Sequence, residues 1–258
     1  MAPTTIGKGR ETWTVGPDRV DLAGGRPPAR CVALAAEPVE IAFDPGRSAI
    51  VVVDMQNAFC APGGLAHSLG ADLAPVRAPI APLRRLLPIA RRAGLPVVWV
   101  NWGLRPDQAD LPPATLYPFL YGGRGPGLGG ALPEGRGPVL EKGSWSAAVV
   151  DELAPQPQDI AVDKVRVSGF WNTPLDAILR NLDIRTLFFA GVNVDICVYH
   201  TLADASFLGY GCVLLADGCG ATSPDFCVEA TLFNVKRAFG FVAATEALAG
   251  ALEGQASA

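Results

Sequence analysis

The sequence predicts an α/β fold of three layers, in which a mainly parallel sheet lies between two layers of helices. The first observation is that the strand candidates are unbroken apolar runs, such as 49–53 and 96–100, which are typical of strands buried on both faces. The second is that these runs alternate with stretches of helical periodicity, an order that implies parallel strands joined by right-handed crossovers. The third is size, because a chain of 258 residues that is 50% hydrophobic and 18% charged can bury a large core.

The elements of this fold are predicted in chain order. The strands are placed at 49–53, 96–100, 160–162, 185–191, 211–216 and 241–243. The helices are placed at 72–93, 173–181, 195–208 and 224–239. The second helix carries a signal at its start, because Thr173 suits the N-cap and Pro174 suits the first helical position.

One domain is predicted over residues 46–250, preceded by an N-terminal extension at 1–45. Within the domain, residues 103–140 are rich in Gly and Pro. A loop of this length inside a compact domain is usually functional or mobile. We interpret it either as a lid over a site or as a contact with a neighbouring subunit.

Composition argues against several classes of function. A net charge of −4 with no Lys/Arg-rich run argues against a nucleic-acid or anionic-membrane surface. Six cysteines are too sparse for a disulfide framework, and neither a secretory leader nor an apolar run of membrane-spanning length is present. We therefore expect a cytoplasmic protein with reduced thiols. With His67 and His200 as the two histidines, we expect no metal and no cofactor.

Three polar residues lie where the predicted strands end, and functional sites of parallel sheets form at the C-terminal ends of strands. Asp54 ends the first strand, Lys164 follows the third, and Cys197 falls in the first turn of the helix after the fourth. A thiol at a helix N-terminus feels the positive end of the helix dipole, which lowers its pKa. Together the three residues supply a base, a cation and a nucleophile.

Each of these residues also has a purely structural interpretation. Asp54 can be a turn or N-cap residue, Lys164 a solvated surface lysine, and Cys197 a small core residue. His200, one helical turn past Cys197, is a weaker candidate for the base. Cys60 lies close after Asp54, and packing explains it better than a role in the site.

Three motifs resemble those of the isochorismatase-like cysteine hydrolases, in the same order. They are IVVVDMQNAF at 50–59, Lys164 with SGF at 168–170, and GVNVDICV at 191–198. The resemblance implies that Asp54 is the general base, that Lys164 is its partner, and that Cys197 forms a thioester with an amide substrate. It also implies a cis peptide bond before Asn193 and an oxyanion hole formed by the backbone N–H groups of Asn193 and Cys197. The Asp-x-His-x-x-His run of metal-binding family members is absent, which argues against a metal.

Further motifs resemble particular branches of that family. KGSW at 142–145 and SGFWNTPLD at 168–176 resemble ureidoacrylate amidohydrolase, and RPDQADLP at 105–112 resembles biuret hydrolase. Because NVDI at 193–196 and VRV at 165–167 depart from the ureidoacrylate pattern, biuret, triuret and cyclic (streptothricin-type) amides stay open as substrates.

Two other functions are weighed against an amidohydrolase. True isochorismatase activity cleaves a vinyl ether and needs no thiol, so Cys197 argues against it. A non-catalytic interaction module is the alternative outside enzymes, and the presence of all three polar residues argues against that as well.

We predict a pocket with aromatic walls and asparagine amides, which suits a planar urea-like group. Its predicted residues are Asn57, Phe59, Asn101, Tyr117, Trp145, Phe170, Trp171 and Asn172. The expected partner is a small-molecule amide, and the family resemblance implies a homo-oligomer, either a dimer or a tetramer.

Overall fold

The computed structural model of the chain describes residues 3–8, 11–16, 20–21 and 30–254. The strands are β1 (Thr4–Lys8), β2 (Glu11–Val15), β3 (Val20–Asp21), β4 (Val32–Leu34), β5 (Ile41–Phe43), β6 (Ser48–Val53), β7 (Val97–Trp102), β8 (Ile160–Lys164), β9 (Thr186–Val192), β10 (Gly211–Gly220) and β11 (Phe241–Ala243). The helices are α1 (Asn57–Cys60), α2 (Leu65–Ser68), α3 (Ala74–Arg77), α4 (Ile80–Arg92), α5 (Pro113–Leu116), α6 (Leu175–Asn181), α7 (Tyr199–Phe207), α8 (Asp225–Asn234) and α9 (Thr245–Glu253). No helix in these ranges is long and apolar enough to cross a membrane.

A parallel six-stranded sheet in the order β11-β10-β9-β6-β7-β8 forms the centre of the protein. Alternation along β6 separates two cores, because successive side chains of a strand point to opposite faces. Ile50 and Val52 pack with α4 and α9, whereas Val51 and Val53 pack with α6 and α7. The three-layer α/β fold with a mainly parallel sheet is therefore confirmed.

The helix predicted at 72–93 is wrong as a single element, because it is divided into α3 and α4. Proline is the physical reason. Pro79 and Pro82 have no backbone N–H, so neither can donate to the carbonyl four residues earlier. The amphipathic pattern survives the break, and Val76, Leu83 and Leu87 are all buried in the core.

Several other boundaries differ from the predicted ones. The helix predicted from Thr173 begins at Leu175, and Thr173 instead accepts a hydrogen bond from the Leu175 N–H through its hydroxyl. β10 continues to Gly220, past a register shift between Leu214 and Cys219. The helices predicted at 195–208 and 224–239 each include a π-helical turn, at Val194–Val198 and Val235–Phe239.

The predicted N-terminal extension, residues 1–45, lies partly outside the described residues. Strands β1, β2 and β3 form an antiparallel sheet of their own. By contrast, the β4–β5 hairpin packs on the main domain, because Val32, Leu34 and Phe43 are buried in the core. Glu37 adds two backbone hydrogen bonds to Val242 of β11.

Residues 103–140 contain short helical turns rather than long regular elements, in agreement with a predicted loop. This loop nevertheless has a core of its own, in which Leu104, Leu128 and Val139 pack with Trp102 and Val165. The packing fixes the loop over the ends of β7 and β8. Its Tyr117–Gly123 turn places Phe119 in edge contact with Trp102, with ring centroids 5.1 Å apart.

The glycine at position 191 is required by close packing between β9 and β6. Its φ is +118°, and a Cβ atom would lie 2.0 Å from the Val53 carbonyl oxygen. We predict that Gly191→Ala lowers the free energy of unfolding by about 2–4 kcal/mol, measured by urea denaturation. The control is Gly250→Ala in α9, where no described atom lies within 4 Å and alanine should add up to about 1 kcal/mol. Equal stability of the two variants would contradict this account.

Candidate active site

The parallel sheet brings Asp54, Lys164 and Cys197 together at the carboxyl edge of its strands. Asp54 directly follows β6, Lys164 is the last residue of β8, and Cys197 lies in the turn after β9. The Lys164 Nζ atom lies 3.0 Å from Asp54 Oδ2 and 3.5 Å from Cys197 Sγ. Asp54 and Lys164 are fully buried, and Cys197 is 8% exposed. The sequence therefore predicted the three members of this cluster.

The backbone around the cluster holds the carboxylate and the ammonium in place. The Trp102 backbone N–H donates to Asp54 Oδ1 over 3.2 Å, and Lys164 Nζ donates to the Arg166 carbonyl over 3.2 Å. Asp54 itself has φ of +52°, an uncommon conformation for a residue with a side chain. Such conformations cluster at functional sites, where the surrounding structure enforces them.

The Cys197 thiol is carried by a π-helical turn, Val194–Val198, that opens helix α7. The Val192–Asn193 peptide bond before the turn is cis, as the family resemblance implies. The Asn193 carbonyl accepts hydrogen bonds from Ile196 and Val198, which closes the wide turn. π-helical turns inside helices are frequent at functional sites.

Burial dominates the ionisation of the cluster. It raises the pKa of the Asp54 carboxyl, although the Lys164 charge and hydrogen bonds with Cys197, Lys164 and Trp102 all act to lower it. Burial also raises the pKa of the Cys197 thiol to about 12, against the lowering effect of Lys164, and the Asp54 charge adds to the rise. The expectation of a lowered thiol pKa is therefore wrong, because burial disfavours the charged thiolate. The resting site holds a thiol beside the Lys164–Asp54 pair.

Two cavities are lined by neighbours of the cluster, such as Trp102 and Asn193, although Asp54, Lys164 and Cys197 themselves line neither. The smaller, of about 330 Å³, is lined by Phe59, Tyr121, Arg124, Asn193 and Thr222, among others. Tyr121 also lies close enough to Cys197 for the thiolate charge to add to the rise in the tyrosine pKa that burial causes. The larger, of about 560 Å³, is lined mainly by apolar side chains, including Trp102, Phe119 and Trp171.

The structure places three of the eight predicted pocket residues on these cavities. Phe59 lines the smaller cavity, and Trp171 and Asn172 line the larger one. Asn57 is buried and its amide donates to the Trp145 carbonyl over 2.9 Å. It therefore holds the backbone of the segment that contains Trp145 rather than lining a cavity.

The other four predicted pocket residues lie elsewhere. Alternation along β7 puts Asn101 on the face opposite Trp102, where no described residue bonds to its buried Oδ1 atom. Tyr117 is 76% exposed, and Phe170 packs near Tyr210, with ring centroids 6.0 Å apart. Trp145 lies under the Arg136 guanidinium, 4.6 Å from the ring centroid.

His200 is exposed, and its Nδ1 atom lies 2.7 Å from the Ile196 carbonyl oxygen. His200 lines the larger cavity, so this alternative candidate for the base lies outside the cluster. Cys60 is buried under the Val76 carbonyl, in agreement with a packing role. Within the described ranges, no three His, Cys, Asp or Glu side chains are grouped as a metal site needs.

Two supporting residues were missed in the sequence. Gln56, two positions after Asp54, accepts from the Trp102 backbone N–H and donates to the Trp102 carbonyl. Thr201 joins two site segments, because its hydroxyl donates to the Cys197 carbonyl and accepts from the Gly169 N–H. For Gln56 the available signal was its position just after the strand; Thr201 had none.

The fold and the cluster define the class of this protein: an α/β protein with a buried Asp, Lys and Cys at the carboxyl edge of a parallel sheet. Residues 48–247 match the isochorismatase domain family. The chain belongs to the isochorismatase family and shares the hydrolase class of its solved relatives.

The solved relatives cover most of this chain. A cysteine hydrolase from Pseudomonas syringae pv. phaseolicola 1448A is 27% identical with a TM-score of 0.68, covering 89% of this chain and 99% of its own. The N-carbamoylsarcosine amidase from Thermoplasma acidophilum is 30% identical with a TM-score of 0.58, covering 78% and 97%. An isochorismatase family protein from Desulfovibrio vulgaris is 26% identical with a TM-score of 0.65, covering 80% and 98%.

The charges around the thiol predict opposite effects of two substitutions on its reactivity. Because the Asp54 charge raises the Cys197 pKa and the Lys164 charge lowers it, Asp54→Asn should speed alkylation of Cys197 above pH 9, where hydroxide rather than Asp54 takes the thiol proton. Lys164→Met should slow it, each by about three- to tenfold. In the unsubstituted protein the rate should still rise about tenfold per pH unit above pH 9, since the thiol pKa is about 12.

Iodoacetamide labelling followed by peptide mass spectrometry measures these rates. The exposed Cys31 in the same digest serves as the internal reference. Slower labelling of Cys197 above pH 9 in Asp54→Asn would contradict the inference that the Asp54 charge raises the pKa of the thiol.

Proposed function

We propose that this protein is a cysteine amidohydrolase that cleaves a C–N bond of a small urea-like or carbamoyl amide. The observation that carries the proposal is the buried Lys164 ammonium, 3.0 Å from Asp54 and 3.5 Å from Cys197. A nucleophile, a proton acceptor and a cation that contacts both are the groups that acyl transfer needs. The hydrolase relatives support the reaction type.

In the first step Asp54 takes the proton of the Cys197 thiol while the sulfur attacks the amide carbonyl carbon. A raised pKa makes this carboxylate a better base than an ordinary aspartate. The Lys164 ammonium, 3.5 Å from the sulfur, offsets the negative charge that the proton leaves behind. The oxyanion of the tetrahedral intermediate binds to the backbone N–H groups of Asn193 and Cys197.

In the second step protonated Asp54 gives its proton to the leaving nitrogen as the C–N bond breaks. Ammonia or an amine departs and the acyl group remains on Cys197 as a thioester. Asp54 then takes a proton from water, whose oxygen attacks the thioester carbon. The C–S bond breaks, the acid or carbamate leaves, and the sulfur recovers its proton from Asp54. No cofactor or metal enters this sequence.

The substrate class is proposed from the smaller cavity, which adjoins the proposed oxyanion hole at Asn193. Arg124 is the one cation among the described residues that line it, and the rings of Phe59 and Tyr121 form part of its wall. A planar carbamoyl group between the rings and a carboxylate at Arg124 fit this lining. The Thermoplasma relative is named for a carbamoyl amide. We therefore propose a ureidoacrylate-type or N-carbamoyl amino acid substrate.

We further propose that the protein acts in the cytoplasm as a homo-oligomer. All six cysteines, which lie within residues 30–254, are free thiols, as a reducing compartment maintains them. Exposed aromatic side chains on helices α7 and α8, such as Phe207 and Phe233, favour contact with another copy. Sedimentation analysis tests the oligomeric state.

The nucleophile is tested by comparing two buried cysteines. Cys197→Ala should lower kcat by about a thousandfold or more, because the thioester can no longer form. Cys212→Ala is the matched control, since burial raises the pKa of that thiol to about 12 as well, yet it lies in the core away from the cluster. It should keep turnover within about twofold and lose about 1 kcal/mol of stability. Normal turnover in Cys197→Ala would refute the mechanism.

The substrate class is tested by ammonia release from a panel of amides. The panel holds ureidoacrylate, N-carbamoyl amino acids, biuret, triuret, nicotinamide and lactams. We expect release from the carbamoyl amides that bear a carboxylate. Arg124→Gln should raise KM for these by about tenfold or more, with little change in kcat, and should not affect biuret. No release from any member of the panel would reject the amidohydrolase.

A further inference from the structure

Trp102 contacts all three members of the Asp54–Lys164–Cys197 cluster. Its backbone N–H donates to Asp54 Oδ1 over 3.2 Å, and the Lys164 ammonium lies 4.0 Å from the centre of its ring. The indole also lies close enough to Cys197 to lower the pKa of the thiol. Sequence position explains the placement, because Trp102 ends β7 and its side chain points to the same face as Lys164.

The Trp102 indole N–H is buried with no well-aligned hydrogen-bond acceptor among the described residues, and the Cys197 sulfur is the group that it reaches. Trp102 is 1% exposed, so water does not replace the missing acceptor at the protein surface. Buried polar groups in folded proteins are nearly always paired, and an unpaired one calls for an explanation. Trp99, three residues earlier on β7, shows the ordinary case, since its N–H donates to Asp159 Oδ2 over 2.9 Å.

Neighbouring groups prevent the Trp102 ring from rotating to bring this N–H to another acceptor. The Lys164 ammonium lies over its face, and Phe119 packs edge-on with ring centroids 5.1 Å apart. Gln56 fixes the backbone of Trp102 through two hydrogen bonds. The Trp102 backbone N–H donates to the Gln56 side-chain oxygen, and the Gln56 amide donates to the Trp102 carbonyl. The donor is therefore held in place before any reaction begins.

We propose that the Trp102 indole N–H is a preorganised donor for the sulfur of Cys197, engaged when the thiol becomes a thiolate. The proposal rests on the proposed function, in which the thiol proton passes to Asp54. No bond forms or breaks at Trp102. The sulfur gains negative charge as its proton moves to Asp54, and the N–H forms a stronger hydrogen bond to the thiolate than to the resting thiol.

The need for a second donor follows from what the proton transfer does to the cluster. Lys164 already donates to the Arg166 carbonyl and pairs with Asp54. Its charge is therefore shared among several partners and stabilises a thiolate only in part. A buried thiolate with too few donors is strongly disfavoured. A donor that is poorly paired in the resting state and well paired in the activated state favours the activated state selectively.

The test compares two tryptophans of the same strand. Trp102→Phe keeps an aromatic face for Lys164 but removes the N–H. We expect it to slow alkylation of Cys197 at neutral pH about tenfold or more, and to lower kcat by a similar factor with little change in KM. Trp99→Phe removes a paired N–H on the opposite face of β7. It should lower Tm and leave the pH profile of Cys197 alkylation unchanged.

A second variant separates the N–H from the shape of the ring. Site-specific replacement of Trp102 by 3-benzothienylalanine keeps the size and face of the indole and puts sulfur in place of N–H. Slowed alkylation in this variant, with an unchanged circular dichroism spectrum, supports the proposal. A Cys197 pH profile equal to that of the unsubstituted protein overturns it. Alkylation needs no turnover, so this outcome differs from failure of the amidohydrolase, which Cys197→Ala and the amide panel detect.

Discussion

The buried ion pair between Lys164 and Asp54 is the interaction on which the site depends. Removing two opposite charges from water costs several kcal/mol for each ion, and attraction offsets this only with good geometry and further hydrogen bonds. The protein supplies both, through the 3.0 Å contact, the Trp102 backbone N–H, the Arg166 carbonyl and the Trp102 ring. Because burial of this pair costs so much free energy, the pair is weak evidence for a contribution to stability and stronger evidence for a role in catalysis. A salt bridge that only stabilised the fold would cost less at the surface.

The parallel sheet makes the pair possible, because it ends three strands at one edge. The same edge carries three unusual backbone features: Asp54 with positive φ, Gly191 in close contact with Val53, and the π-helical turn that holds Cys197. The first and third of these features belong to Asp54 and Cys197, whose side chains both contact Lys164. The two apolar cores on either side of the sheet provide the rigidity that enforces them.

Local patterns predicted the fold class and the three members of the cluster, because strand ends and a helix start are visible in the sequence. The residues that line the pocket were harder to predict from the sequence. Asn101 is the single polar residue of Val97–Trp102, so no alternation in the sequence indicated which face it takes, and it lies opposite Trp102. Tyr117 and Trp145 depend on how the 103–140 loop folds over its own core. The pKa of Cys197 depends on the whole layer that excludes water, so a helix-terminus argument, which is local, gave the wrong direction.

Raised pKa values for both the thiol and the carboxylate are consistent with a single mechanism. A thiol with a pKa of about 12 is protonated at rest, which protects it from oxidation and from adventitious electrophiles. Burial of Asp54 disfavours its charge, so the carboxylate binds a proton more strongly than an exposed aspartate would. Both shifts have the same cause, which is burial. Because burial raises both pKa values, the difference between the pKa of the thiol and that of the carboxylate is smaller than it would be if only the thiol were buried. In the proposed mechanism, activation then awaits an electrophilic carbon that can take the charge from sulfur, so that the substrate itself activates the nucleophile.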